Sequence, residues 1–136
     1  MIDKEIIKIA SNTENHGVLD KHTHFSKLKN AICGDEMKIY LIIKNDKIEN
    51  FKYECESCIY CQASVSLLSR SVINKSIEKV KNFAEQAKNC FDKSSKSFDK
   101  EWKEFDKIMT KNNISRKECL LLPLNTTLDA LNKKSL

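Results

Sequence analysis

Six cysteines, at 33, 55, 58, 61, 90 and 119, carry the reactive chemistry of this 136-residue chain. Three stand in suggestive company. Cys33 opens Cys33-Gly34-Asp35, Cys58 lies inside Cys55-Glu56-Ser57-Cys58-Ile59-Tyr60-Cys61, and Cys119 ends Arg116-Lys117-Glu118-Cys119. Thiolates are soft ligands, and a nearby carboxylate can complete a four-coordinate site for zinc or for part of an iron–sulfur cluster. Gly34 lets the backbone curl so that Cys33 and Asp35 face one ion. The decisive question is whether the fold gathers Cys33, Asp35, Cys58 and Cys119.

The element that answers part of it is a hairpin. Met37 to Lys44 is rich in β-branched and aromatic residues, and Lys47 to Glu54 resembles it. Asn45-Asp46 between them tolerates the positive φ of a tight two-residue turn. In that register Ile43 faces Ile48, Tyr40 faces Phe51, and extrapolation sets Cys33 opposite Cys58. A slip of a residue or two leaves the conclusion standing, because the hairpin must still return Cys58 to the end of the sheet that Cys33 leaves.

The other elements follow from periodicity. Ile2 to Ala10 fits a short amphipathic helix, and Asn15-His16-Gly17 a turn. His16, His22 and His24 fall in a polar stretch that reads as an exposed loop. Residues from Cys58 to Ile73 suit a buried helix, which would put Cys58 and Cys61 one turn apart at its start, where backbone amides lower thiol pKa values. Ser76 begins another helix, and helical spacing continues to 112 with an interruption at Ser94-Ser95. Its stripe of Phe83, Phe91, Phe98, Trp102 and Phe105 reads as a core face, and Cys90 on the same face as a small apolar residue. Pro123 predicts a helix boundary, with Asn125 or Thr126 capping a last helix that ends near Lys133-Lys134.

Composition narrows the class. Apolar residues make up 40% and charged residues 32%, which fits one globular domain over residues 1–136. No apolar run nears the roughly 20 residues that span a bilayer, and the start lacks a signal peptide's pattern. The expectation is a cytoplasmic protein with no membrane partner, where cysteines serve metal or thiol chemistry rather than disulfides. The net charge of +5 comes from 24 basic and 19 acidic residues, largely interleaved. It marks a solvated surface, or a weakly basic face for an acidic partner, without a nucleic-acid recognition element.

Taken in order, the motifs resemble those of the iron–sulfur scaffold family of the IscU/SufU/NifU N-terminal type. Asn12 to Leu19 resembles the segment after that family's first helix, and Asn30 to Asp35 its first cysteine loop. Cys58-Ile59-Tyr60-Cys61-Gln62-Ala63-Ser64-Val65-Ser66 resembles its second cysteine and Ala-Ser-rich helix. Cys119-Leu120-Leu121-Leu122-Pro123 resembles its third cysteine before a Leu-Pro turn. Glu118 stands where many IscU-type scaffolds have histidine, and the stretch from Cys58 to Cys119 is long. Both features point to the SufU-like branch.

The resemblance implies an α+β fold, a small antiparallel sheet of about three strands packed against several helices. It implies that Cys33, Asp35, Cys58 and Cys119 hold zinc or a transient iron–sulfur cluster. It further implies sulfur transfer from a SufS-like cysteine desulfurase to Cys33, or alternatively Cys119, and recipient apoproteins downstream. The protein would be a scaffold or a zinc-dependent sulfurtransferase. The chain departs from the family's Gly-x-Gly before the second cysteine, having Cys55-Glu56-Ser57, and Cys61 replaces a common serine. Cys55 or Cys61 is therefore a candidate resolving thiol or substitute ligand. Rival readings are a direct [2Fe–2S] scaffold, a structural zinc module for protein or nucleic-acid binding, and a thiol oxidoreductase built on Cys58-x-x-Cys61, which lacks its βαβ context.

Overall fold

The computed structural model describes residues 3–91 and 98–133; the expectations for Ile2, Ser94-Ser95 and Lys134 lie outside them. The fold is α+β, as expected. Strands β1 (His24–Lys29), β2 (Glu36–Lys44) and β3 (Lys47–Glu56) form one antiparallel sheet in that spatial order. Helices α1 (Lys4–Ala10), α2 (Ile59–Ser71), α3 (Ile77–Asn89) and α4 (Lys117–Leu131) are joined by two 3-10 helices, Lys100–Lys107 and Lys111–Arg116.

The hairpin forms as the turn chemistry predicts. Asn45 and Asp46 have φ of 53° and 64°, the pairing of signs that a two-residue hairpin turn needs. Ile43 pairs with Ile48, but Ile42 pairs with Asn50, so Glu49 is an extra residue in β3. This bulge advances the register by one, and Tyr40 faces Lys52 rather than Phe51. On β3 the bulge changes the phase of the alternation, so that Ile48 before it and Phe51 and Tyr53 after it all face inward. Met37, Ile39, Leu41, Phe51 and Tyr53 are all buried, under α2 and α4.

Two local readings are corrected. The histidine stretch is not simply an exposed loop: His24 begins β1 and is buried, with its Nδ1 2.8 Å from the Thr23 hydroxyl. Gly17 N–H donates to the Tyr53 carbonyl at 2.8 Å, which lays the 15–17 segment along the edge of β3. Likewise, the spacing after residue 98 is realised as 3-10 helices rather than α-helix.

Pro123 is the larger correction. It sits inside α4, which runs unbroken from Lys117 to Leu131. Proline in a helix interior costs about 3 kcal/mol, here removing the N–H that would return to the Cys119 carbonyl. Leu120, Leu121, Leu122 and Leu124 are all buried around it, each contributing about 1.5–3 kcal/mol, so packing outweighs the local penalty. The Thr126 and Thr127 hydroxyls donate back to the carbonyls of Leu122 and Pro123 at 2.7 and 2.8 Å.

The aromatic stripe is core, as its periodicity predicts. Phe83 stacks on Trp102 with centroids 4.1 Å apart, and Phe98 and Phe105 close around it. Helix α2 is buried on most sides, so its serines need partners. Ser64 donates to the Leu120 carbonyl at 2.6 Å and Ser66 to the Asn12 carbonyl at 2.7 Å, which fixes α2 against α4 and the segment after α1.

Candidate metal centre

Cysteine 33 is presented by a loop that Asn30 ties shut. The Asn30 side-chain oxygen accepts from the N–H of Ile32 at 2.9 Å, and its carbonyl accepts from Gly34 N–H at 2.8 Å. The Asn30 N–H donates to the Asp35 carbonyl at 2.8 Å, closing the loop between β1 and β2. Gly34 has φ of +79° and open space where a Cβ would lie. Backbone conformation, not crowding, is therefore what requires glycine there. Cys33 is exposed in this loop, next in sequence to Ile32, which is 89% exposed.

Asp35 lies toward the same point as Cys33 but is buried. It is 8% exposed, and one carboxylate oxygen accepts from the Cys58 N–H at 3.2 Å. The other, Oδ2, is buried without a hydrogen-bond partner. Leaving such an acceptor unmet costs about 1–3 kcal/mol, more for a charged group. The ligand atoms of Cys33, Asp35 and Cys119 lie within 4.8 Å of one another.

Cys119 reaches this point from the first turn of α4 and is buried. Burial pushes its thiol up, and a hydrogen bond with Cys58 and the charges of Cys33 and Asp35 push in the same direction. Each of these groups disfavours a second negative charge beside the first. Cys58 is the residue just before α2, in extended conformation, and its side chain makes no capping bond. It falls outside the tightest three-residue group and is joined to it by the hydrogen bond from its N–H to Asp35, with its thiol close enough to Cys119 to help raise that thiol. The hairpin thus does bring Cys58 back to the Cys33 loop.

The donor set suits a thiophilic cation. A tetrahedral zinc with bonds of about 2.0–2.3 Å keeps its ligands somewhat under 4 Å apart, so small side-chain rotations bring Cys33, Asp35 and Cys119 within reach of one ion. The unpartnered Asp35 oxygen is the atom such an ion would satisfy. None of the three histidines belongs to this group among the described residues. His16 packs edge-on against Tyr53, and His22 packs against Phe25 and Tyr40.

Cys61 behaves contrary to the helix-start expectation. It is fully buried, and burial, the dominant cause, pushes its thiol well up. Cys55 is half-buried and is raised for the same leading reason. Ser57 lies against both thiols and partly offsets the rise, yet its buried hydroxyl oxygen has no partner at good hydrogen-bond geometry. The contact is polar rather than a formed hydrogen bond. Cys90 caps the end of α3, partly buried against the core.

The positioning contacts were harder to foresee. Arg116 lies over the Tyr60 ring at 5.3 Å, pinning the entry to α4 onto the start of α2 and so Cys119 beside Cys58. Asn30 carried a signal, an Asx residue shortly before a glycine in a predicted loop. Arg116 and Ser64 carried none, since their partners are 56 residues away in the chain.

Comparison with known proteins meets this geometry. The family model described as NifU-like N terminal domain matches residues 1–95. The iron–sulfur cluster assembly scaffold protein IscU of Thermotoga maritima is 29% identical over 135 residues, covering 99% of this chain and 95% of that protein. The zinc-dependent sulfurtransferase SufU of Bacillus subtilis is 31% identical over 67 residues, 49% of this chain and 45% of the relative. Among solved structures, one described as an iron–sulfur cluster assembly scaffold protein for the SUF system, from Fervidobacterium islandicum, superposes with a TM-score of 0.85. It is 26% identical and covers 96% of each chain. The N-terminal NifU-like protein of Brucella abortus gives 0.88 at 19% identity, over 95% of this chain and 90% of that one, a likeness of fold alone.

Proposed function

The chain belongs to the NifU-like N-terminal domain family of iron–sulfur cluster assembly scaffolds, and from that premise we propose that it accepts sulfur from a cysteine desulfurase at a site formed by Cys33, Asp35, Cys58 and Cys119. In this reading residues 1–136 act as one SufU-like domain of the cytoplasm, passing sulfur or a finished cluster to recipient apoproteins. No described helix is long and apolar enough to cross a membrane.

The observation that carries the reading is the buried Asp35 carboxylate, which has one unmet oxygen and lies within 4.8 Å of two thiols. Three thiolates and Asp35 would hold zinc, which keeps the thiols deprotonated and the loops ordered. Cys33 is the exposed thiol of the set and Cys119 a buried one, which supports Cys33 as the acceptor. Its thiolate attacks the outer sulfur of the desulfurase persulfide, that S–S bond breaks, and the donor cysteine leaves as thiolate. Sulfur then rests on Cys33 as a persulfide.

Elemental analysis tests the site. Purified protein should carry about one metal ion per chain, and Asp35→Ala should lose most of it; equal metal in both would sink the ligand assignment. In a desulfurase-stimulation assay, Cys33→Ala should abolish stimulation, and full stimulation by both Cys33→Ala and Cys119→Ala would remove the sulfur-acceptor role.

A direct scaffold for a [2Fe–2S] cluster is the second reading, favoured by the similarity to IscU along nearly the whole chain. There the cluster is cargo on the same four residues. Anaerobic reconstitution followed by absorption spectroscopy separates the two, since zinc is colourless.

A further inference from the structure

Apolar side chains standing in water are ordinary when they are scattered singly and partly covered. Among the described residues, Ile7, Val18 and Ile114 are of that kind, exposed to 48%, 49% and 53%. Ile32 is different. It is 89% exposed, so the fold makes almost no use of its side chain, and the residue that follows it is Cys33.

This is not the exposure of a slack loop. The Asn30 side-chain oxygen accepts from the N–H groups of Ile32 and Cys33 at 2.9 and 3.5 Å, and the Asn30 carbonyl accepts from Gly34 N–H at 2.8 Å. The turn is braced from within, and it holds Ile32 out in water. Isoleucine suits a group that is to be covered later. Branching at Cβ leaves it few rotamers to lose, and a loop already closed gives up little more freedom on docking.

Position decides what covers it. In the sulfur transfer proposed for Cys33, the donor's outer sulfur must come within about 3–3.5 Å of Sγ before bonds exchange. Successive Cα atoms are about 3.8 Å apart, and Ile32 and Cys33 are both exposed on the same turn. A protein surface close enough to reach Cys33 Sγ therefore also reaches Ile32. If that surface is an apolar hollow, association gains from the burial. A charged or hydrated rim offers no such gain.

We propose that Ile32 is the docking anchor of the Cys33 loop, seating in an apolar hollow at the mouth of the donor's persulfide site and so selecting which persulfide-bearing proteins Cys33 accepts sulfur from. The inference rests on the sulfur-acceptor reading above and leaves its bond changes as they are. Ile32 acts in binding, as a specificity-determining residue that meets the partner and not the reacting sulfur.

The test uses the full chain as purified and two sulfur donors, a cysteine desulfurase and the small molecule cysteine persulfide. With the desulfurase, Ile32→Ser should raise the KM for this protein roughly ten- to a hundredfold, the worth of burying one isoleucine, with kcat close to wild type. With cysteine persulfide, sulfane sulfur should load onto Ile32→Ser at the wild-type rate, because that donor has no hollow to fill. Ile32→Leu should restore most of the KM. Ile7→Ser, which removes a half-exposed isoleucine from α1, should leave KM unchanged. A wild-type KM in Ile32→Ser, or an equal rise in Ile7→Ser, would overturn this inference and leave the acceptor reading intact. So would an equal loss with both donors, which would put the fault in the shape of the loop rather than in docking. A wild-type chain that takes no sulfur from the desulfurase would overturn both.

Discussion

The two ends of the molecule are built on opposite terms. Around Phe83, the aromatic rings of Trp102, Phe98 and Phe105 pack at centroid distances of 4.1 to 5.3 Å. Around Asp35, by contrast, lie both of the buried side-chain polar atoms left without a partner among the described residues, Asp35 Oδ2 and Ser57 Oγ. The first end is saturated by its own side chains. The second is left wanting a ligand. Native proteins keep few such atoms, and those they keep tend to mark function. Stability and chemistry are thus segregated, and each can be perturbed separately.

The largest perturbation should come at the aromatic end. Phe83→Ala removes a fully buried ring from a stack and should cost about 3–5 kcal/mol, read as a lower urea midpoint. Its metal content per folded molecule should stay at the wild-type value. A variant that lost metal in proportion to stability would show the two ends to be coupled.

At the other end the sign should reverse. Asp35→Ala removes a buried carboxylate whose Oδ2 has no partner, so metal-free protein should hold its stability or gain about 1–3 kcal/mol, offset by the lost bond from Cys58 N–H. Wild type should be the more stable of the two only once metal is added, because a ligand that binds the folded state alone stabilises it. Chemical denaturation with and without chelator checks this, and a metal-free variant far less stable than metal-free wild type would refute the segregation.

The sequence disclosed these ends unequally, and for physical reasons. The hairpin was legible because its turn chemistry is local: Asn45 and Asp46 take the positive φ their types allow. Its one-residue slip was not, since Glu49 carries no mark of a bulge. The Cys33 and Asp35 pair was legible through Gly34, whose φ of +79° is the reason for a glycine. The position of Cys119 was not legible from spacing, because it depends on Ser64 and Arg116 holding α4 to α2 across 56 residues. Pro123 misled for the converse reason. A local rule about proline met four buried leucines, and packing won.

A smaller effect should isolate the loop that joins the sheet to the site. Gly34→Ala places a Cβ in open space but keeps φ of +79°, a conformation costing a non-glycine residue about 1–2 kcal/mol. The expected result is a modest fall in stability with weaker metal retention under chelator, since relaxation of the loop moves Cys33 relative to Asp35. A comparable fall in stability with unchanged metal retention would mean that loop strain and ligand geometry are independent.

The smallest effect concerns neither end and so serves as the reference for both. Tyr40 projects from the sheet face opposite the helices, beside Phe25 and His22, and its hydroxyl donates to Glu54 at 2.7 Å. Burial pushes its phenol up to about 12, with the Glu54 hydrogen bond and charge adding to the rise. The folded state therefore keeps this proton between pH 10 and about 12, while the unfolded chain releases it. Unfolding then loses protons, so this contribution is present in full below pH 10 and declines as pH climbs toward 12. The comparison to make is the alkaline slope of stability in wild type against Tyr40→Phe, where it should flatten. Asp35→Ala should leave the tyrosine's share of that slope in place, because the tyrosine's partners are on the sheet's outer face; the raised thiols of Cys55, Cys61 and Cys119 feel the Asp35 charge and make a separate alkaline contribution. An alkaline slope identical in wild type and Tyr40→Phe would mean that folding holds the phenol's proton no more tightly than the unfolded chain does, and Tyr40 could not serve as the reference for either end.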